Sequence, residues 1–244
     1  MMFDAHLHIF DPAHPLVANQ GFVPAPFTVA EYRARVAPLG VVGGAVVAAS
    51  PQGADPAPLL AAARALGPRF VVVAAADPAR DDAALAALAA SGVRGLRFNL
   101  HRDPAWTIGT MIEHARRAAA HGLHAEIYTD AARLAPHVEA LARLRIVIDH
   151  LGMTGAGLPV TCDLARAGAK VKATGFGRVR LDPAAALEAI AKAAPDALMA
   201  ATDLPSTRAD RPFADADIAL IEHVLGPALA RAALHDTAAA FYRA

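Results

Sequence analysis

Two histidines spaced two apart, His6 and His8 in the stretch Asp4-Ala5-His6-Leu7-His8, are the first residues of this chain whose type and spacing could do chemistry. Side chains alternate faces along a strand, so both imidazoles are expected on one face, with Phe3, Ala5, Leu7 and Ile9 on the apolar face opposite. Burying two imidazoles is unfavourable unless they are hydrogen-bonded or ligated. Neutral imidazole is a common metal ligand and proton carrier, so the pair reads as half of a metal or acid/base site, or else as a hydrogen-bonded core pair. The rest of the chain has to decide between them.

Further titratable and polar groups close other short apolar runs: Arg97 and Asn99, Glu126 and Tyr128, Asp149 and His150, and Asp203. The runs that would carry them are strands expected at 43–49, 70–76, 93–100, 123–129, 146–150, 170–174 and 197–202, following the one that bears His6 and His8. Helical stretches separate them. Thr28 with Glu31 and Thr110 with Glu113 have capping-box spacing, and Asp55-Pro56 and Asp182-Pro183 pair a helix cap with a proline in the first turn. Eight strands alternating with helices over 244 residues predict a single-domain (β/α)8 TIM barrel, in which function sits at the carboxyl ends of the strands. A doubly wound open sheet is disfavoured because no glycine-rich phosphate fingerprint follows the first strand.

Composition narrows the classes. Apolar residues make up 55% of the chain, enough for a sizeable core, and 23 basic residues balance 23 acidic ones, so no basic stripe is expected for a nucleic acid. A small-molecule substrate fits better. Cys162 is the single cysteine, which rules out an internal disulfide and reads as a packing residue. No basic leader precedes an apolar run, and the longest apolar runs are under half a membrane span, so a cytoplasmic protein that is not in a membrane is expected. The Ala-rich helices suit a dimer face and a monomer surface equally, so the oligomeric state stays open.

The motifs Asp4-Ala5-His6-Leu7-His8, Gly92-Val93-Arg94-Gly95-Leu96-Arg97-Phe98-Asn99, Ile148-Asp149-His150-Leu151-Gly152 and Ala201-Thr202-Asp203-Leu204-Pro205 together resemble the amidohydrolase superfamily. Within it they are most similar to the branch that contains 2-pyrone-4,6-dicarboxylate lactonase and related sugar-lactone hydrolases. The resemblance implies a hydrolase whose site is built on His6, His8, His150 and Asp203. In metal-dependent members the histidines hold one divalent ion, usually zinc, and the aspartate takes a proton from the attacking water. In metal-free members the same histidines would polarise the ester carbonyl and Asp203 would activate water directly.

Single residues follow from that frame. The lysines are Lys170, Lys172 and Lys192, none of them on the fourth or fifth strand, so a binuclear site bridged by a modified lysine is not expected. Glu126 at a strand exit either completes a one-ion site or pairs with Arg97. Strand neighbours face opposite ways, so His150 is expected to look into the barrel and Asp149 to be structural, outside it. Asp203 reads as the catalytic carboxylate rather than as a helix cap. Arg97, Asn99, Tyr128 and Arg178 are the expected substrate contacts, the arginines gripping a carboxylate, with His101, Arg102 and Arg208 as weaker candidates on adjoining loops. His14, His114, His121, His124, His137, His223 and His235 are expected at the surface.

The leading expectation is therefore hydrolysis of a lactone bearing carboxylates or hydroxyls. Its rivals are a metal-dependent decarboxylase of the same superfamily, a TatD-type metal-dependent nuclease, which the neutral charge opposes, and a metabolite-binding barrel without turnover.

Overall fold

The computed structural model describes residues 1–242, and among them eight parallel strands run in the order in which they occur in the chain. They are β1 (Met2–Leu7), β2 (Val41–Val47), β3 (Phe70–Ala75), β4 (Val93–Asn99), β5 (His124–Tyr128), β6 (Ile146–Ile148), β7 (Lys170–Ala173) and β8 (Leu198–Ala200). Helices return the chain over the outside, as parallel neighbours require. The architecture is the (β/α)8 barrel expected from the sequence.

The seam between β8 and β1 is closed beyond the end of β8. Asp203 N donates to His6 O at 2.8 Å, and His8 N donates to Leu204 O at 2.8 Å. Below them the Asp4 carboxylate accepts from Thr202 N at 2.9 Å, Thr202 Oγ1 at 2.7 Å and Tyr32 Oη at 2.9 Å. This closure sets Asp203 beside the two histidines, from opposite ends of the chain.

Two apolar layers surround the strands. The inner one holds Phe3, Ala5, Ala45, Val47, Val71, Val73, Val147, Met199 and Ala201, sealed by Phe241 and Tyr242 of the terminal helix Thr237–Tyr242. Outward-facing residues such as Leu7, Ile9, Val46, Val72, Leu96 and Ile127 pack with the helices. The inner layer corrects the reading of β1. Phe3 and Ala5 lie inside with the histidines, while Leu7 and Ile9 lie outside. A register shift between Asp4 and Leu7 against β2 is the cause: three steps along β1 match two along β2 (Asp4 to Gly44, Leu7 to Val46). Such a bulge reverses the alternation and re-aims His6 inward.

The capping box at Thr28 and Glu31 opens helix Val29–Val36 as expected. The second box differs. Helix Ile108–Ala120 starts earlier than the Thr110–Glu113 spacing suggests, with Thr107 as its cap and Thr110 returning the bond. Among the described residues no helix is long and apolar enough to cross a membrane.

Candidate active site

At the carboxyl end of the barrel His6 Nε2 and His8 Nε2 lie 3.3 Å apart, and each is 3.6 Å from Asp203 Oδ1. His8 is oriented by its other nitrogen, 2.8 Å from Val47 O. Asp203 is buried, with φ 56°, a left-handed backbone that asparagine and aspartate tolerate better than most residues. Its Oδ2 accepts from Arg178 Nε at 2.9 Å and again from Arg178 NH2. Burial pulls the carboxyl upward, but the Arg178 guanidinium beside it outweighs this and holds Asp203 well below the usual carboxylate range.

His150 completes the mouth. Its ring stands 5.3 Å from that of His6 and 5.2 Å from that of Tyr128, and burial drives its pKa down to about 3, so it is neutral. Gly175 permits this placement, because a Cβ there would lie 2.5 Å from His150 Nδ1. The expectation that only one of Asp149 and His150 faces inward is overturned. β6 stops at Ile148, Asp149 keeps the inward phase of Val147, and His150 turns in as well because the chain leaves the strand with φ 51° there. Asp149 is fully buried and accepts from Arg97 Nε at 3.0 Å.

One layer deeper lies a polar network. Lys172, inward on β7, contacts His6 Nδ1 at 2.8 Å, donates to Glu126 and stands 3.4 Å from Asp149 Oδ1. Glu126 also accepts from Tyr242 Oη at 2.6 Å and lies 3.2 Å from His124 Nε2. Glu126 therefore neither joins the mouth cluster nor pairs with Arg97, whose acid is Asp149. His124 is not a surface group: it fills barrel interior that Gly95, lacking a Cβ, leaves open across the sheet. His114 is buried too, against Phe98 and Trp106. Lys172 is the residue the sequence reading passed over. Its signal was a lone lysine between the apolar residues Val171 and Ala173 of a strand buried on both faces.

Burial opposes ionisation of Glu126, but Lys172 and His124 lower its pKa to about 2, against an ordinary 4.5. A carboxylate depressed on folding stabilises the protein above its unfolded pKa, and that contribution fades as pH falls from about 4.5 through about 2. Glu126→Gln is expected to lose about 3–5 kcal/mol at pH 7, since it strands a buried ammonium. Urea unfolding at stepped pH should show the gap from wild type narrowing toward pH 2, and a gap that is constant with pH would refute this.

The mouth opens into a small pocket lined by His8, Arg97, Asn99, Tyr128, Arg178 and Asp203, together with Arg102 and Arg208. All four expected substrate contacts thus border one space. Arg97 is anchored in the wall by Asp149 and by Ala48 O at 3.0 Å, and lies over the Tyr128 ring. Asn99 bonds Ser50 Oγ at 2.6 Å. His101 borders the adjoining cleft with Asp130 and Met153.

The mouth nitrogens and Asp203 Oδ1 could hold a metal ion. Ligands placed tetrahedrally about a zinc-sized ion stand roughly 3.3–3.6 Å apart, which is the spacing found here. His6, Asp149 and His150 form a second such group. Charge argues the other way. Asp149, Glu126 and Asp203 are each buried and already matched by a cation, Arg97, Lys172 and Arg178.

A parallel barrel with inward histidines and an aspartate at its carboxyl end defines the class, a TIM barrel with its candidate site at the carboxyl ends of the strands. The family follows from comparison: residues 3–244 match the amidohydrolase family, and the chain belongs to it. A 2-pyrone-4,6-dicarboxylate hydrolase of Comamonas testosteroni is 32% identical over 155 residues, 61% of this chain and 51% of that protein, so the chain spans about half the length of the curated relative it matches. A Pseudomonas putida structure, provisionally named a 2-pyrone-4,6-dicarboxylic acid hydrolase, superposes with a TM-score of 0.81 at 26% identity, covering 99% of this chain and 97% of the other. One from Acinetobacter baumannii, provisionally given the same activity and holding citric acid, gives 0.82 at 18% identity, covering 100% and 99%.

Proposed function

We propose that this chain hydrolyses the ring ester of a small lactone bearing one or more carboxylates, with 2-pyrone-4,6-dicarboxylate as the first compound to try. The observation that carries this reading is the pairing of an ionised Asp203 beside His6 and His8 with arginines around the same pocket. Arg178, Arg102 and Arg208 receive the substrate's carboxylates as charge-assisted hydrogen-bond donors, while Arg97 shapes the wall. Asp203 takes a proton from water, whose oxygen attacks the ester carbonyl. Neutral His6 and His150 stabilise the charge that develops on the carbonyl oxygen. The ring C–O bond then breaks, and the departing oxygen recovers a proton, giving the open acid.

A divalent ion held by His6, His8 and Asp203 would supply a more acidic water and a polarised carbonyl. Zinc is the ion that donor set would take. Because the three buried carboxylates are already neutralised, we propose the metal-free route as the working one. Ring opening of 2-pyrone-4,6-dicarboxylate, followed by loss of pyrone absorbance, should persist after exhaustive chelation and dialysis. Hydrolysis that disappears with the chelator and returns with zinc would overturn the metal-free route. No turnover of this compound or of other carboxylated lactones, under either condition, would overturn the function.

A further inference from the structure

His6 is gripped from beneath by a cation. Lys172 Nζ stands 2.8 Å from His6 Nδ1, both side chains fully buried, and Glu126 accepts from the same ammonium. An ammonium has three N–H donors and no lone pair, so this contact runs from Lys172 to His6 and requires Nδ1 to be bare. A neutral imidazole then carries its proton on Nε2. His8 is fixed the opposite way: Val47 O can only accept, so His8 Nδ1 bears a proton, and in the neutral ring that leaves His8 Nε2 bare. The two Nε2 atoms meet at 3.3 Å, and the assignments made independently from their far sides give one donor and one acceptor there. Of these two imidazoles, His6 alone carries an N–H on this side, and in the free protein it is directed at His8 Nε2.

We propose that Lys172 is a positioning residue that locks His6 as the Nε2–H tautomer, so that His6 holds a hydrogen-bond donor, resting on His8 Nε2 in the free protein, that passes to the substrate carbonyl, rather than a lone pair. The use made of that donor rests on the lactone-hydrolysis reading; the tautomer itself does not. Asp149 Oδ1, 3.5 Å from His6 Nδ1, is the group that would take over if Lys172 were lost. It can only accept, so it would draw the proton to Nδ1 and turn the bare Nε2 toward the mouth. Glu126, held by Tyr242 of the terminal helix, keeps Lys172 in place.

The test is nitrogen NMR of the histidine rings in uniformly labelled protein, with the His6 signals assigned by their loss in His6→Gln. Wild type should show His6 with a bare Nδ1 and a protonated Nε2. Lys172→Met should reverse the two and lower kcat about 10- to 100-fold, the usual scale for losing an orienting partner, with KM within a few-fold. Should stranding Glu126 prevent folding, Lys172→Met/Glu126→Gln removes both charges and should show the same reversal. A proton on Nδ1 in wild type, or an unchanged pattern in the folded variants, overturns the proposal. The expected signals in a protein that opens no lactone would uphold the tautomer lock and end the functional reading alone.

Discussion

Asp203→Asn should lower kcat for lactone opening by about 10³- to 10⁴-fold while leaving a folded barrel, the upper range for removing a general base. Asparagine keeps the volume, tolerates the left-handed backbone at φ 56°, and can still accept from Arg178 through its carbonyl oxygen. What it cannot do is take a proton from water. The His6 and His8 contacts to Oδ1 stand at 3.6 Å, too long to hold the fold by themselves, and the backbone bond from Asp203 N to His6 O is untouched by the change. Circular dichroism and thermal unfolding check the fold, and pre-steady-state hydrolysis checks the chemistry. Activity within tenfold of wild type would remove Asp203 from the base role and, with it, the route proposed here.

Much of this site was legible because barrels put chemistry where strands end. His8, Arg97, Asn99, Tyr128, Arg178 and Asp203 line one pocket, His6 and His150 are buried against its wall, and each was visible as a polar residue at or just past an apolar run. What was not legible depended on phase. Ile146, Val147 and Ile148 are all apolar, so nothing in β6 tells the inner face from the outer, and Asp149 could not be placed by alternation. In β1 the bulge after Asp4 breaks the period of two that would have put Phe3 and Ala5 outside. The buried lysine was hidden for another reason. Its partners, Glu126 on β5, His6 on β1 and, through Glu126, Tyr242 near the carboxyl end, meet only when the barrel closes, and no local pattern joins residues 6, 126, 172 and 242. Glu126 read equally as a metal ligand or as a partner of Arg97, because its place near a strand exit suits both. Here it lies one layer below Tyr128, where its task is to balance a charge.

Arg178→Gln should raise KM for a carboxylated lactone about 10- to 100-fold, the scale of a lost charge-assisted hydrogen bond at a desolvated site. Its second effect separates this residue from an ordinary anchor. Arg178 gives both Nε and NH2 to Asp203 and spends NH2 again on Thr207 O, so in the free protein the substrate-binding cation is occupied by the base itself. That pairing makes Asp203 a poor proton acceptor until something draws the guanidinium away. An incoming substrate carboxylate is suited to do so, because it competes for the same donors, and its arrival would raise the basicity of Asp203 as the ester reaches it. Removing Arg178 takes away the cation that most strongly depresses the Asp203 carboxyl, so its pKa rises. The base is then protonated at higher pH, and the acid limb of the kcat/KM profile should move upward in Arg178→Gln. Arg178→Lys keeps a charge but not the fork, so it should restore the acid limb more fully than it restores KM. A variant whose KM rises while its acid limb stays at the wild-type pH would show that Arg178 binds substrate without governing the base.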